Sequence, residues 1–267
     1  MRAENRLREH FPTAAGLASS AAGFAALVRA IANLYELPAS PTELSRIARQ
    51  GLWIRVSEFV WWPSKFAPAS HWPEMRALIL VVSAAKKGVF RRRRECRLRS
   101  RRRVCSRRGR PRRYPRRMLE MQKRFRRRIF EGFGKVTMMD SNSFHATCLD
   151  TYPPIFYLND VSRAAIKTVE CINAATGKIV AAYTFDAGPN AVIYYLEENE
   201  KAVVGVFKAM IGGKDGWKGA RGEKVEGTRR AWRQCKGCGV AVDLLKEGVS
   251  RIILMELARD PRRRTTA

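Results

Sequence analysis

Apolar residues recur at helical spacing in the first fifty residues of the chain. Residues 11–35 predict a turn followed by a helix, whose apolar stripe consists of Leu17, Ala21, Phe24, Leu27, Ile31 and Leu34. A second helix is predicted to begin at Ser40-Pro41-Thr42-Glu43, with Ser40 as the N-cap and Glu43 as the returning member of a capping box. That helix is expected to extend to about Arg49.

The rest of the chain mixes strand and helix patterns without a regular alternation. Ala77–Val82 is apolar on both faces and predicts a buried strand. Without β-α alternation, the pattern favours an α+β fold over a doubly wound sheet. The other predicted elements are an amphipathic helix at 117–130, a polar stretch at 140–150 expected to line a site, a helix opened by Pro153-Pro154, a turn at 173–178, strands at 179–185 and 192–196, a helix at 199–211 and a strand at 249–254.

Positive charge is concentrated in one stretch. The chain has 267 residues and a formal net charge of +28, of which 16 arginines and a single glutamate between Val89 and Arg117 supply +15. This stretch shows neither a helical nor a strand period. It is either a solvated, self-repelling loop or an arm that binds RNA or DNA through phosphate contacts.

Composition excludes several classes of protein. Hydrophobic residues make up 46% of the chain, which is too rich for a disordered basic tail. Its aliphatic runs are too short to span a bilayer, and residues 1–10 are charged rather than signal-like. Six cysteines in a chain of this length do not make a disulfide scaffold, so we expect a reduced, cytoplasmic compartment. Cys235-Lys236-Gly237-Cys238 is half of a zinc or redox site without a matching second half, and we assign no metal site.

The first segment with candidate chemistry is Pro12–Gly23, which is rich in small residues and contains the hydroxyls of Ser19 and Ser20. Small residues allow the backbone to approach a ligand, and the N–H groups at a helix start can bind an anion. The same composition is also typical of a helix against which another element packs tightly. It is not a Walker A loop, because no Gly-Lys-Ser/Thr follows.

Asp186 is the second candidate. It begins the turn Asp186-Ala187-Gly188-Pro189-Asn190 between two predicted strands. By residue type alone, its carboxylate either caps the turn or takes part in catalysis.

Four segments, in this order, resemble the diphosphomevalonate decarboxylase family of the GHMP kinase superfamily. They are residues 11–23, Ala69–Arg76, Asp140-Ser141-Asn142-Ser143-Phe144-His145-Ala146-Thr147-Cys148, and Tyr183-Thr184-Phe185-Asp186-Ala187-Gly188-Pro189-Asn190-Ala191. The resemblance implies a two-domain α+β fold with an incomplete N-terminal domain. It also implies ATP- and Mg²⁺-dependent conversion of mevalonate 5-diphosphate to isopentenyl diphosphate by a cytoplasmic homodimer.

The resemblance also assigns roles to residues. ATP is expected on Gly16, Leu17, Ala18, Ser19, Ser20 and Ala21, and Asp186 becomes the catalytic aspartate. His145 and Ser141 lie in the third matching segment, where we predict that His145 is a hydrogen-bonded structural histidine in a polar loop.

The chain departs from the family pattern at places where a change of reading frame restores it. Residues 53–62 can be encoded so that the next frame reads Gly-Ser-Ala-Cys-Arg-Ser-Leu-Phe-Gly, which resembles a family loop that holds substrate. Residues 89–97 yield Val-Ser-Ser-Thr-Ser-Gly-Met-Gln in the same way, and residues 256–261 yield Val-Gly-Glu-Gly-Pro. An upstream substrate-gripping segment of the family is also absent. We hypothesise that the chain is translated across frame slips and missing exons, which predicts impaired activity.

These observations predict three parts: residues 1–88 as a remnant of an N-terminal ATP- and substrate-binding domain, residues 89–117 as the anomalous arginine-rich segment, and residues 118–267 as a C-terminal domain. Two other functions stay open. One is a basic nucleic-acid-binding protein that uses the arginine-rich segment, and the other is a different GHMP small-molecule kinase. No membrane partner is expected.

Overall fold

The computed structural model describes residues 19–40, 43–44, 47, 71–82, 113–218, 222–228 and 238–256. Six α-helices, one short 3₁₀ helix and four strands have their bounds within these ranges, and residues 43, 44 and 47 are helical as well, so the composition is α+β, as predicted. The elements are α1 (Ser19–Leu34), β1 (Met75–Val81), α2 (Arg113–Arg126), α3 (Phe130–Leu149), α4 (Asp160–Thr176), β2 (Ala181–Thr184), β3 (Ala191–Leu196), a 3₁₀ helix (Glu197–Asn199), α5 (Glu200–Ile211), α6 (Cys238–Gly248) and β4 (Arg251–Glu256).

The four strands form one antiparallel sheet in the order β2-β3-β1-β4. All seven residues of β1 are buried, as expected of a central strand covered on both faces. β1 pairs with β3 on one side and β4 on the other. It therefore lies inside the sheet built by residues 181–256, although the sequence assigns it to the N-terminal unit.

The two faces of the sheet carry separate apolar clusters. Ile193 and Tyr195 of β3 point to the larger cluster, where α4, α5 and α6 contribute residues such as Val169, Phe207 and Leu245. The opposite face carries Ala182 and Tyr194, which pack with aromatic residues of α3 and the segment before β1. In this smaller cluster, the rings of Trp72, Phe125, Phe130, Phe133 and Tyr194 make edge-to-face and tilted contacts.

Several predicted elements are confirmed with small shifts. The capping box at Ser40 is present, since the Glu43 carboxylate accepts from the Ser40 backbone N–H at 2.8 Å, and the Ser40 hydroxyl accepts from Glu43 N–H at 3.3 Å. The strands at 179–185 and 192–196 and the helix at 199–211 correspond to β2, β3 and α5. The last strand begins at Arg251 rather than Val249.

The helix predicted to open at Pro153 begins instead at Asp160. Pro153 is itself followed by a proline, which disfavours helical backbone before it. Asn159 takes the N-cap position: its side chain accepts from Ser162 N–H at 3.0 Å, and the Ser162 hydroxyl lies 3.4 Å from Asn159 N. The turn predicted at 173–178 also begins too early, because α4 continues to Thr176 and is closed by Gly177 at φ 69°.

The polar stretch at 140–150 is the main error in the secondary-structure prediction, because it is the second half of helix α3. The stretch has few apolar residues, so periodicity gave no helical signal there.

The helix predicted at 117–130 is α2, which runs from Arg113 to Arg126, so Arg113–Arg117 are helical. Arg128, at φ 54°, separates it from α3.

Close packing of α3 on the sheet makes a prediction about Gly134. A methyl group at Gly134 would lie 2.9 Å from Ile179 Cγ2 and 3.1 Å from Ala182 Cβ. We expect Gly134→Ala to lower the free energy of unfolding by about 1 kcal/mol or more through overpacking. Chemical denaturation measures this effect directly.

Gly239 in α6 supplies the matched control, since a methyl group there meets no atom within 4 Å. Gly239→Ala is expected to raise the free energy of unfolding by up to about 1 kcal/mol, because alanine is the better helix former. Equal effects of the two substitutions would contradict the packing of α3 on β2.

Among the helices of the described ranges, none has the length and apolar character that crossing a membrane requires.

Candidate active site

Asp186 is the exposed residue of a turn that is otherwise half-buried or buried, and hydrogen bonds hold this turn at three points. Phe185, directly before it, donates its backbone N–H to the Ser141 hydroxyl at 3.1 Å. The Pro189 carbonyl accepts from the Ser162 hydroxyl at 2.9 Å. Asn190 is fully buried, and its side-chain oxygen accepts from Val82 N–H at 2.7 Å. The carboxylate is thus solvent-accessible on backbone that is fixed from both sides.

These bonds bring three parts of the chain to one edge of the sheet. Ser141 belongs to α3, Ser162 to the first turn of α4, and Val82 follows the last residue of β1. The Ser162 hydroxyl also bonds Asn159, the N-cap of α4. The Asp186 turn therefore contacts the positive end of the α4 macrodipole, which favours an anionic group nearby.

Helix α3 presents polar residues to this turn. Ser141 and His145 are one helical turn apart and both buried, and Asn142 Nδ2 lies 3.2 Å from the Tyr183 hydroxyl oxygen. The prediction that this stretch lines a site is consistent with that position. The prediction that His145 sits in a polar loop is wrong, because residues 130–149 are helical.

His145 is enclosed by aromatic side chains. Its ring contacts Phe144, Tyr157 and Phe185 at centroid distances of 5.0, 6.3 and 6.2 Å. Burial lowers the pKa of His145 below its usual 6.5, against a hydrogen bond to the Phe185 backbone and the charge of Asp186, which both raise it. The folded protein thus binds this proton less readily than the unfolded chain. The His145 contribution to stability is present at higher pH and is lost as the pH falls below the usual value.

Arg117 is fixed beside the same helix. Its guanidinium donates to the Ser143 hydroxyl at 2.6 Å and lies 3.8 Å from the Asp140 carboxylate. This places one cation from the end of the arginine-rich stretch against α3.

The residues predicted to hold ATP are only partly described. Gly16, Leu17 and Ala18 lie outside the described residues. Ser19, Ser20 and Ala21 are the first residues of α1, whose first turn contains no acidic residue. The assignment of these residues to ATP stays a prediction.

Sequence reasoning missed Ser162 and Asn190 as residues that shape the site. Asn190 lies inside the turn segment that the sequence analysis singled out, and an asparagine in such a turn could have indicated a side chain that bonds the backbone. Ser162 bonds a residue 27 positions away, which no local pattern reveals.

Other predicted features fall outside the described residues: the arginine-rich run up to residue 112, the frame-slip segments 53–62 and 89–97, residues 257–261, and Cys235. Cys238 is the first residue of α6. Within the described ranges, no three His, Cys, Asp or Glu side chains come together as metal ligands.

Two family models match the chain. The model for the mevalonate 5-diphosphate decarboxylase C-terminal domain matches residues 77–263, and the model for the diphosphomevalonate decarboxylase-like N-terminal domain matches residues 2–52. Residues 53–76 lie between the two matches.

Curated proteins give the same result. The chain is 48% identical over 271 residues to diphosphomevalonate decarboxylase mvd1 of Aspergillus fumigatus, covering 94% of this chain and 67% of the relative. It is 50% identical to the enzyme of Gibberella zeae, covering 94% and 68%. The chain thus spans about two thirds of the length of these relatives.

Solved structures agree as well. A crystal structure of mevalonate 5-diphosphate decarboxylase is 41% identical, with a TM-score of 0.75, and the match covers 93% of this chain and 68% of that one. A second structure, 25% identical with a TM-score of 0.58, covers 74% and 64% and is a complex with MVAPP, AMPPCP and magnesium.

Proposed function

Since the chain belongs to the diphosphomevalonate decarboxylase family, we propose that it is built for the ATP-dependent decarboxylation of mevalonate 5-diphosphate to isopentenyl diphosphate. The observation that carries this proposal is the exposed carboxylate of Asp186 on a turn held by Ser141, Ser162 and Asn190. A catalytic base must keep a fixed orientation relative to the reacting groups, and the hydrogen-bonded turn supplies that constraint.

In this function, Asp186 lies beside the tertiary hydroxyl of the substrate. It orients that hydroxyl or accepts its proton while the oxygen is phosphorylated. The phosphorylated substrate then loses phosphate and CO₂, and the electrons of the broken C–C bond form the new double bond. The contact of the turn with the N-terminus of α4 favours an anionic group at this edge of the sheet.

ATP, when bound, supplies the phosphoryl group. Ser19 and Ser20, together with the N–H groups at the start of α1, would hold its phosphates. In such sites Mg²⁺ is usually bound by the substrate phosphates and by only one or two carboxylates of the protein. We therefore assign no protein ligand to it.

The organisation of the whole chain follows from the same proposal. The C-terminal unit, residues 118–267, takes β1 as a central strand of its sheet, and residues before β1 contribute the ATP-binding helix. The assembly is a homodimer in the cytoplasm, without a nucleic-acid partner. In the printed sequence we expect the activity to be impaired, because the family's substrate loop does not occur at residues 53–62.

The test is ATP-dependent release of CO₂ from mevalonate 5-diphosphate, measured together with ADP. Equal amounts of both products support the decarboxylase. If ADP forms without release of CO₂, with mevalonate 5-diphosphate or another small alcohol as the substrate, the protein is a GHMP kinase instead. Salt-dependent retardation of RNA on a gel, without either product, would favour the nucleic-acid-binding function.

A further inference from the structure

Cys171 of helix α4 is buried, with 4% of its surface exposed, and it is disulfide-bonded. Cys148 is not its partner, because it keeps its thiol in a separate apolar cluster. Three other cysteines lie outside the described residues: Cys96, Cys105 and Cys235. Among the described residues this leaves Cys238, the first residue of α6 and the second cysteine of the Cys-Lys-Gly-Cys motif.

The packing of α4 on α6 fixes the register of the two helices. A methyl group added at Gly248, the last residue of α6, would collide with the side chain of Val161, the second residue of α4. The strands that follow the two helices, β2 and β4, run in opposite directions in the sheet. The helices are therefore antiparallel, and the start of α4 meets the end of α6.

This register brings the two cysteines to the same level of the helix pair. Cys171 lies ten positions after Val161, and Cys238 lies ten positions before Gly248. At about 1.5 Å per helical residue, each cysteine is about 15 Å from the contact between Val161 and Gly248. Because the helices are antiparallel, both distances run in the same direction.

The separation of packed helices suits a disulfide. Helix axes in contact lie about 8–10 Å apart and each Cα lies about 2.3 Å from its axis, so facing Cα atoms are about 5 Å apart. A disulfide joins Cα atoms about 4.4–6.8 Å apart. Cys238 precedes Ala241 and Val242 by three and four positions, and both of these residues are buried in the larger cluster together with residues of α4. Helical spacing therefore places Cys238 on the buried face of α6.

We propose that Cys171 and Cys238 form a redox-responsive disulfide that ties α4 to α6. Disulfides in a reduced compartment are usually transient and redox-sensing. The oxidant is a small disulfide, such as glutathione disulfide. One cysteine thiolate attacks it and releases a glutathione thiolate, and the second cysteine thiolate attacks the mixed disulfide and releases the other. Two electrons pass to the oxidant, and the two cysteine protons end on the released thiols.

The first test maps the bond by digestion with trypsin under non-reducing conditions. Trypsin separates Cys235, in residues 234–236, from Cys238, in residues 237–246, and Cys171 lies in residues 168–178. After incubation with glutathione disulfide, we expect residues 168–178 to be linked to residues 237–246, and excess reduced glutathione to separate them. A link from Cys171 to any other cysteine, no link at all, or a link that resists reduced glutathione would overturn the proposal.

The second test measures the stability of the full chain. Oxidation is expected to raise the unfolding midpoint by about 5 °C or more, because a bond between residues 67 positions apart restricts the unfolded chain. Cys171→Ala and Cys238→Ala are each expected to abolish this difference between the oxidised and reduced protein. Cys148→Ala removes a sulfur that is likewise buried, and this matched control is expected to keep the difference.

A difference in midpoint that survives either Cys171→Ala or Cys238→Ala would also overturn the proposal. If Cys171→Ala fails to fold, Cys238→Ala and the peptide map still decide. Both cysteines lie outside the segments that the frame hypothesis changes, so the printed chain and the frame-restored protein can each be tested. Neither measurement uses CO₂ release, so failure of the proposed function would leave both results unchanged.

Discussion

The transcript that encodes this chain is expected to read residues 53–62 and 89–97 in the adjacent frame, and the protein it encodes is expected to release CO₂ at least about 100-fold faster than the printed chain. The reason is chemical. The alternative readings replace tryptophans and arginines by serine-, threonine- and glycine-rich loops, which under the proposed function would hold the anionic substrate. Loss of such positioning groups costs rates of this order.

Sequencing the transcript and assaying both proteins side by side measures this. The first segment begins at Trp53, where the match to the N-terminal family model has just ended at residue 52. The second segment opens the stretch that carries +15 of the net charge of +28. A frame slip there would therefore account for the anomalous charge as well as the missing loop.

The matched control is the printed chain with only residues 89–97 changed to the alternative reading. It removes arginines without restoring the first loop, and we expect it to be less basic but still nearly inactive. A transcript that encodes residues 53–62 as printed would reject the frame hypothesis. The arginine-rich segment would then be a genuine part of the protein, and the RNA gel shift would become the decisive experiment.

Sequence patterns predicted the sheet well because its strands are short apolar runs bounded by turn residues. Ala77–Val82 and the strands on either side of Asp186 were identified in this way, and each lies in the observed sheet. The capping box at Ser40 was also readable, because both partners lie within four residues. Local rules suffice wherever the stabilising contact is local.

Helix α3 could not be read in the same way. Its second half is polar on the face that meets the Asp186 turn, so its helical period is hidden by residues that serve the site. The bond from Phe185 N–H to Ser141 joins residues 44 positions apart, and only the fold brings them together. Resemblance to a family pointed to Asp186, but the contacts that hold it in place emerged from the structure.

Asp186→Asn is expected to abolish decarboxylation, with kcat lower by about 10³-fold or more, in the range attributed to removal of a general base. The substitution keeps the size of the side chain and its ability to cap the turn. The backbone bonds from Ser141, Ser162 and Asn190 do not involve the carboxylate, so the unfolding midpoint is expected to stay close to that of the parent. Release of CO₂ and thermal unfolding are measured on the same preparations.

Asp243→Asn makes the same chemical change at an exposed position on α6 and controls for the loss of a charge. We expect it to retain full activity. If Asp186→Asn keeps more than about a tenth of the parent kcat, the carboxylate is a turn cap and general-base catalysis must lie elsewhere. If it loses activity and also unfolds at a clearly lower temperature, the side chain stabilises the turn. The two outcomes separate the alternatives that residue type alone left open for Asp186, because only a catalytic carboxylate lowers the rate while the fold stays intact.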